Sequence, residues 1–96
     1  MKMLFIVYNE AIDEEVVEIL EANSVVGLTK WTKVLGKGKA SGPHLATQVW
    51  PKANSALMIA ADDEQAAGIL EGIRGLRKTL AHEGVKAFCL PLEQMT

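Results

Sequence analysis

The 96-residue chain has one cysteine, three prolines and 5% aromatic residues, and each scarcity removes a class of protein. Cys89 has no second thiol to pair with, so stability must come from an apolar core in a reducing compartment. It lies in an apolar run and is expected to be a buried, inert thiol. Cys-x-x-Cys and His-x-His spacings are both absent, which removes the common metal-binding and redox frameworks. The longest apolar run, over residues 3–8, meets Asn9 and Glu10 at once, far short of the roughly 18 residues a membrane span needs. No signal-peptide cleavage pattern opens the chain, and the expected location is the cytoplasm. A formal charge of −2 argues against a surface that grips nucleic acid, so any phosphate recognition must be local.

What the chain has in quantity is aliphatic side chains. Its hydrophobic fraction of 49% is high for one small domain spanning 1–96, and predicts apolar surface buried between subunits as well as within them. Residues 3–8 form a continuous β-forming run, the mark of a central strand. Asp13-Glu14-Glu15 then offers an N-cap and first-turn carboxylates for a helix, on which Val16, Ile19, Leu20 and Asn23 recur at helical spacing until it stops near Asn23 and Ser24. Residues 26–35 alternate, with Val26, Leu28, Thr32 and Val34 on one face and Thr29, Trp31 and Lys33 on the other.

The half-pattern then repeats. Residues 55–61 are an apolar strand ending in Asp62-Asp63-Glu64, a second acidic helix opening. The helix it starts carries an apolar stripe of Ala66, Ile69, Leu70, Ile73, Leu76 and Leu80, and places Arg74, Arg77, Lys78 and His82 toward its carboxyl end. Gly68 and Gly72 fall on one face of that helix and predict a close approach to a neighbour, because each costs roughly 1 kcal/mol against alanine. Gly84 stops the pattern, and Val85, Ala87 and Cys89 alternate with Lys86, Phe88 and Leu90 in a last strand ended by Pro91. The order βαββαβ predicts a ferredoxin-like α+β sandwich, an antiparallel sheet with two helices on one face and strands one and three in its centre. Trp31 and Phe88 are candidates for its uncovered face.

Between the second and third strands runs Gly36-Lys37-Gly38-Lys39-Ala40-Ser41-Gly42-Pro43. Glycines there free backbone N–H groups to turn toward an anion, and the lysines add charge. The plain alternative is a hairpin loop with solvated lysines.

Gly27-Leu28-Thr29, Val34-Leu35-Gly36-Lys37-Gly38-Lys39, Pro51-Lys52 and the closing Lys86-Ala87-Phe88-Cys89-Leu90-Pro91-Leu92-Glu93-Gln94 together resemble the PII signal-transduction family, and the resemblance covers nearly the whole chain. It implies a homotrimer that binds ATP, ADP or another adenylate at intersubunit clefts, with no required cofactor and no catalysis. It also implies a projecting loop, the T-loop, that signals to a membrane transporter or a metabolic enzyme without inserting into a membrane. Gly36, Lys37, Gly38 and Lys39 correspond to the Gly-x-Gly-Arg turn at the loop's base. Lys39 stands for the arginine, so it keeps the charge without the bidentate fork. Lys86 corresponds to a phosphate-binding lysine in the loop before the last strand, and Thr29 to the threonine facing adenine, although the interval from Thr29 to Gly36 is one residue longer than the family's. The loop is short and holds no tyrosine, so nucleotidylation has no acceptor there. His44 and Trp50 are its candidate partner contacts.

Two other functions compete. A trimeric CutA-like metal-tolerance protein would use His44 as a metal ligand, yet no second ligand stands beside it. A small dimeric α+β-barrel isomerase or monooxygenase would need a convergent acid and base, and the carboxylate clusters read instead as helix caps.

Overall fold

The computed structural model describes residues 1–36, 53–80 and 83–96. The elements are β1 (Lys2–Asn9), a 3₁₀ turn (Glu10–Ile12), α1 (Asp13–Ala22), β2 (Thr29–Val34), β3 (Asn54–Ala61), α2 (Asp63–Thr79) and β4 (Val85–Pro91). They form one four-stranded sheet in the order β2-β3-β1-β4, with the pairs β1/β3, β1/β4 and β2/β3 all antiparallel. The two strands richest in aliphatic residues are central, as their unbroken apolar runs require. Ferredoxin-like topology therefore holds.

One face of the sheet meets α1 and α2. Leu4, Ile6 and Tyr8 of β1 and Leu57, Ile59 and Ala61 of β3 pack there against Val16 and Leu20 of α1 and Ala66, Ile69 and Ile73 of α2. All are nearly inaccessible, and burying each large aliphatic side chain stabilises the fold by about 1.5–3 kcal/mol. The helices touch each other where sequence spacing predicts. A Cβ built on Gly68 would collide with Asn23 Oδ1, and one on Gly72 would lie 2.7 Å from Ile19 Cγ2. Gly75 meets nothing within 4 Å, so the contact belongs to the i, i+4 pair alone.

The two acidic helix openings differ. Asp62 caps α2 in a full capping box, its side chain accepting from Gln65 N at 2.7 Å while Gln65 Oε1 accepts from Asp62 N at 3.1 Å. Asp13 is not the expected cap. The residue before α1 is Ile12, which makes no side-chain cap, because the preceding 3₁₀ turn is capped by Asn9, whose Oδ1 accepts from Ala11 N. At its other end α1 closes at Asn23 and Ser24. Ser24 is left-handed (φ 59°), with Ser24 N donating to Glu21 O and Val25 N to Leu20 O, the two bonds of a Schellman closure made without glycine.

Cys89 corrects the expectation of a buried thiol. It sits opposite Leu4 on the helix side of the sheet, but β4 is an edge strand whose cover thins along its length. Val85 is buried, Ala87 half-buried and Cys89 exposed. No described helix is long and apolar enough to cross a membrane.

Candidate functional site

Register assigns every strand residue to a face. Directly opposed residues share one, so Thr29, Met58, Phe5 and Phe88 form a transverse row, and Trp31, Ala56, Val7 and Lys86 form the next. Both rows lie on the face that carries no helix. Trp31 and Phe88 are 46% and 48% exposed, and Leu90 beside them is 45% exposed. The uncovered face is thus a broad apolar surface with Thr29 at its β2 edge and Lys86 at its β4 edge. Three strand spacings separate those edges, about 14 Å. Lys86 also lies inside β4, not in the loop before it.

The second strand departs from simple alternation. Trp31 pairs with Ala56 but Val34 with Asn54, so three steps on β2 oppose two on β3. The extra residue is taken up by a bulge at which Lys33 adopts a left-handed conformation (φ 57°). Val34 consequently shares the open face with Thr29 and Trp31, against the expected pairing of Val34 with Thr32. Val26, placed in the strand by its spacing, lies before it and is 99% exposed.

Gly36 follows β2 at the loop base. Its φ is not left-handed, and a Cβ there would lie 2.6 Å from Asn54 Nδ2, the tip of a side chain that would have to shift to admit it. Asn54, on the open face at the start of β3, is a residue that sequence reading passed over. Nothing in its flanking pattern marked it, since its importance comes from pairing across the sheet. Lys37, Gly38, Lys39, His44, Trp50 and His82 lie outside the described residues.

The fold has solved counterparts. The chain matches the family described as Nitrogen regulatory protein P-II over residues 1–96. It belongs to the P-II family. Among solved structures it resembles CPII, a nitrogen regulatory PII-like protein from Thiomonas intermedia K12. In a form bound to ADP, AMP and bicarbonate, CPII aligns with a TM-score of 0.68 at 24% identity, over 97% of this chain and 88% of that one. A PII-like signalling protein from Thermus thermophilus aligns with a TM-score of 0.64 at 22% identity, over 92% and 82% of the two chains. No curated protein sequence matches.

On its helix side the P-II chain holds a second polar constellation. An open cleft of about 820 Å³ is lined by residues that include Asp13, Lys30, Lys33 and Ser55. Here the Tyr8 hydroxyl donates to Asp13 Oδ1, which also accepts from Lys30 Nζ at 2.8 Å, while Lys33 Nζ reaches Glu10 Oε2 at 3.0 Å. Burial, followed by the bond to Asp13, raises the Tyr8 pKa far above the ordinary phenol value. The Lys30 bond, followed by that from Tyr8, lowers the Asp13 pKa. Asp13 thus acts as a tie between α1 and the β2 edge. Of the expected ligand residues that are described, Thr29, Gly36 and Lys86, none lines this cleft. Among the described residues no group of three or more His, Cys, Asp or Glu is placed to hold a metal.

Proposed function

We propose that this P-II protein is a cytoplasmic, non-enzymatic regulator that assembles as a homotrimer through the open sheet face and binds an adenine nucleotide at the seams between copies. The observation that carries this reading is the separation of Thr29 and Lys86 across one apolar face. A seam between two copies brings a β2 edge to a β4 edge, so that both residues reach one nucleotide from neighbouring copies. Thr29 then faces the base. Lys86, with Gly36, Lys37, Gly38 and Lys39 of the loop base, meets the phosphates through charge-assisted bonds. Contact with those phosphates shifts the population of the segment from Gly36 to Pro51, which presents or withholds His44 and Trp50 to a transporter or metabolic enzyme. That CPII was crystallised with ADP and AMP supports the ligand class.

Light-scattering mass and ADP titration test it together. Three copies per particle and saturable ADP binding without turnover are expected, with Lys86→Ala weakening ADP by about 1.5–3 kcal/mol. A monomer or dimer, or nucleotide turnover, overturns the proposal.

A further inference from the structure

Two unusual features coincide at Lys33. The backbone is left-handed (φ 57°) at a residue that is not glycine, a conformation disfavoured by the Cβ of an L side chain. The side chain turns to the helix side of the sheet, where Nζ meets Glu10 Oε2 at 3.0 Å. Backbone strain persists only where its surroundings offset it, and this ion pair is what the Lys33 side chain supplies. The pair is exposed, Lys33 by 72% and Glu10 by 44%, so its strength is modest and of the same order as the strain.

Register shows what the strain achieves. From Thr29 to Trp31 the second strand pairs in a plain ladder, and Val34 pairs one residue out of step with it, opposite Asn54. Continued without the bulge, that ladder would set Lys33 opposite Asn54 and Val34 opposite Ala53, because a shift of one residue exchanges the faces. Asn54 lies on the open face, two residues along β3 from Ala56. With the bulge, β2 therefore ends that face with a valine. Without it, the same place is taken by a lysine.

Building on the trimer reading above, we propose that the bulge is a register switch for assembly and that the Lys33–Glu10 ion pair is its latch. Latched, the β2 edge offers Val34 beside Thr29 and Trp31 to a second copy. Unlatched, it offers an ammonium group, which an apolar contact disfavours. Latch and assembly thus favour the same register, and each strengthens the other.

The test uses the full chain as wild type, Glu10→Ala, Lys33→Gly and the double variant, each checked for unchanged far-UV circular dichroism. Cross-strand NMR contacts report whether residue 33 or residue 34 lies opposite Asn54, and sedimentation equilibrium reports assembly. Glu10→Ala should populate the plain register and weaken assembly about two- to fivefold per copy, the worth of an exposed ion pair. Lys33→Gly should hold the bulge with no latch, because glycine takes positive φ freely. The double variant should therefore assemble at least as tightly as wild type, a rescue that a merely structural ion pair would not show. A Glu10→Ala variant that stays fully bulged overturns the latch. A plain register with wild-type assembly overturns the switch and leaves the trimer reading standing, as does a double variant that assembles no better than Glu10→Ala. A wild type that stays monomeric at every concentration overturns both proposals.

Discussion

The two faces of the sheet are both apolar and differ in what covers them. Ile59 and Met58 are neighbours on β3, yet Ile59 is 1% exposed beneath the helices while Met58 points to the face that has none. The helix side uses aliphatic side chains of fixed shape, and its helices close to within contact at Gly68 and Gly72. The open side uses Met3, Phe5, Trp31, Met58 and Phe88, broad and adaptable groups of the kind enriched at protein interfaces. One face is covered by the chain's own helices, and the other carries no helix.

The largest break in that comparison comes from placing charge on the open face. Phe88→Asp should leave helix content intact and reduce the assembly to monomers, because a carboxylate at a dry interface costs more than the contact can offset. Sedimentation velocity with circular dichroism reads both properties. An unchanged mass would show that the open face is not the contact between copies.

A paired truncation sharpens the contrast. Ile59→Ala should lower unfolding free energy by about 2–5 kcal/mol, the usual cost of a core cavity, in a way that tracks the fold itself. Met58→Ala should cost less, and its cost should depend on protein concentration, because what it loses is the contact between copies. Urea unfolding at two concentrations a hundredfold apart separates the two behaviours.

Most of the architecture was legible in the chain because periodicity reports burial directly: unbroken apolar runs for central strands, a 3.6-residue stripe for α2, a paired-glycine spacing for the helix contact. The misses share a cause. Asp13 looked like Asp62, each opening an acidic triplet, but capping depends on the backbone just before the helix, where Asn9 had already taken the role. Cys89 sat in an apolar run, and alternation placed it on the correct face without revealing that the edge strand outruns its cover. Of the site, Thr29 and Lys86 could be placed on faces by counting. The bulge at Lys33, which moves Val34 to their side, could be suspected only as an extra residue, and the Asn54 to Gly36 contact could not be seen, because it exists only once β2 and β3 are in register.

The smallest expected effect concerns the tie that holds the β2 edge to α1, at the border between the two faces. Asp13 has a lowered pKa in the folded chain, so its contribution is fully present at neutral pH and is lost as pH falls from the ordinary carboxylate range through that lowered value. Tyr8 has a raised one. Above about pH 10 the unfolded chain therefore releases a phenol proton that the folded chain keeps, and stability declines as pH rises. Tyr8→Phe should cost about 1 kcal/mol at pH 7, the usual worth of one hydrogen bond, and should flatten the alkaline decline. Asp13→Asn should flatten the acid limb, by a modest amount because Asp13 and Lys30 are each about a third exposed (37% and 34%) and their attraction is screened. Chemical unfolding of each variant from pH 3 to pH 11 checks both slopes. An acid limb unchanged in Asp13→Asn would mean that Lys30 does not hold the β2 edge through this carboxylate, and that the two faces of the sheet meet there by packing alone.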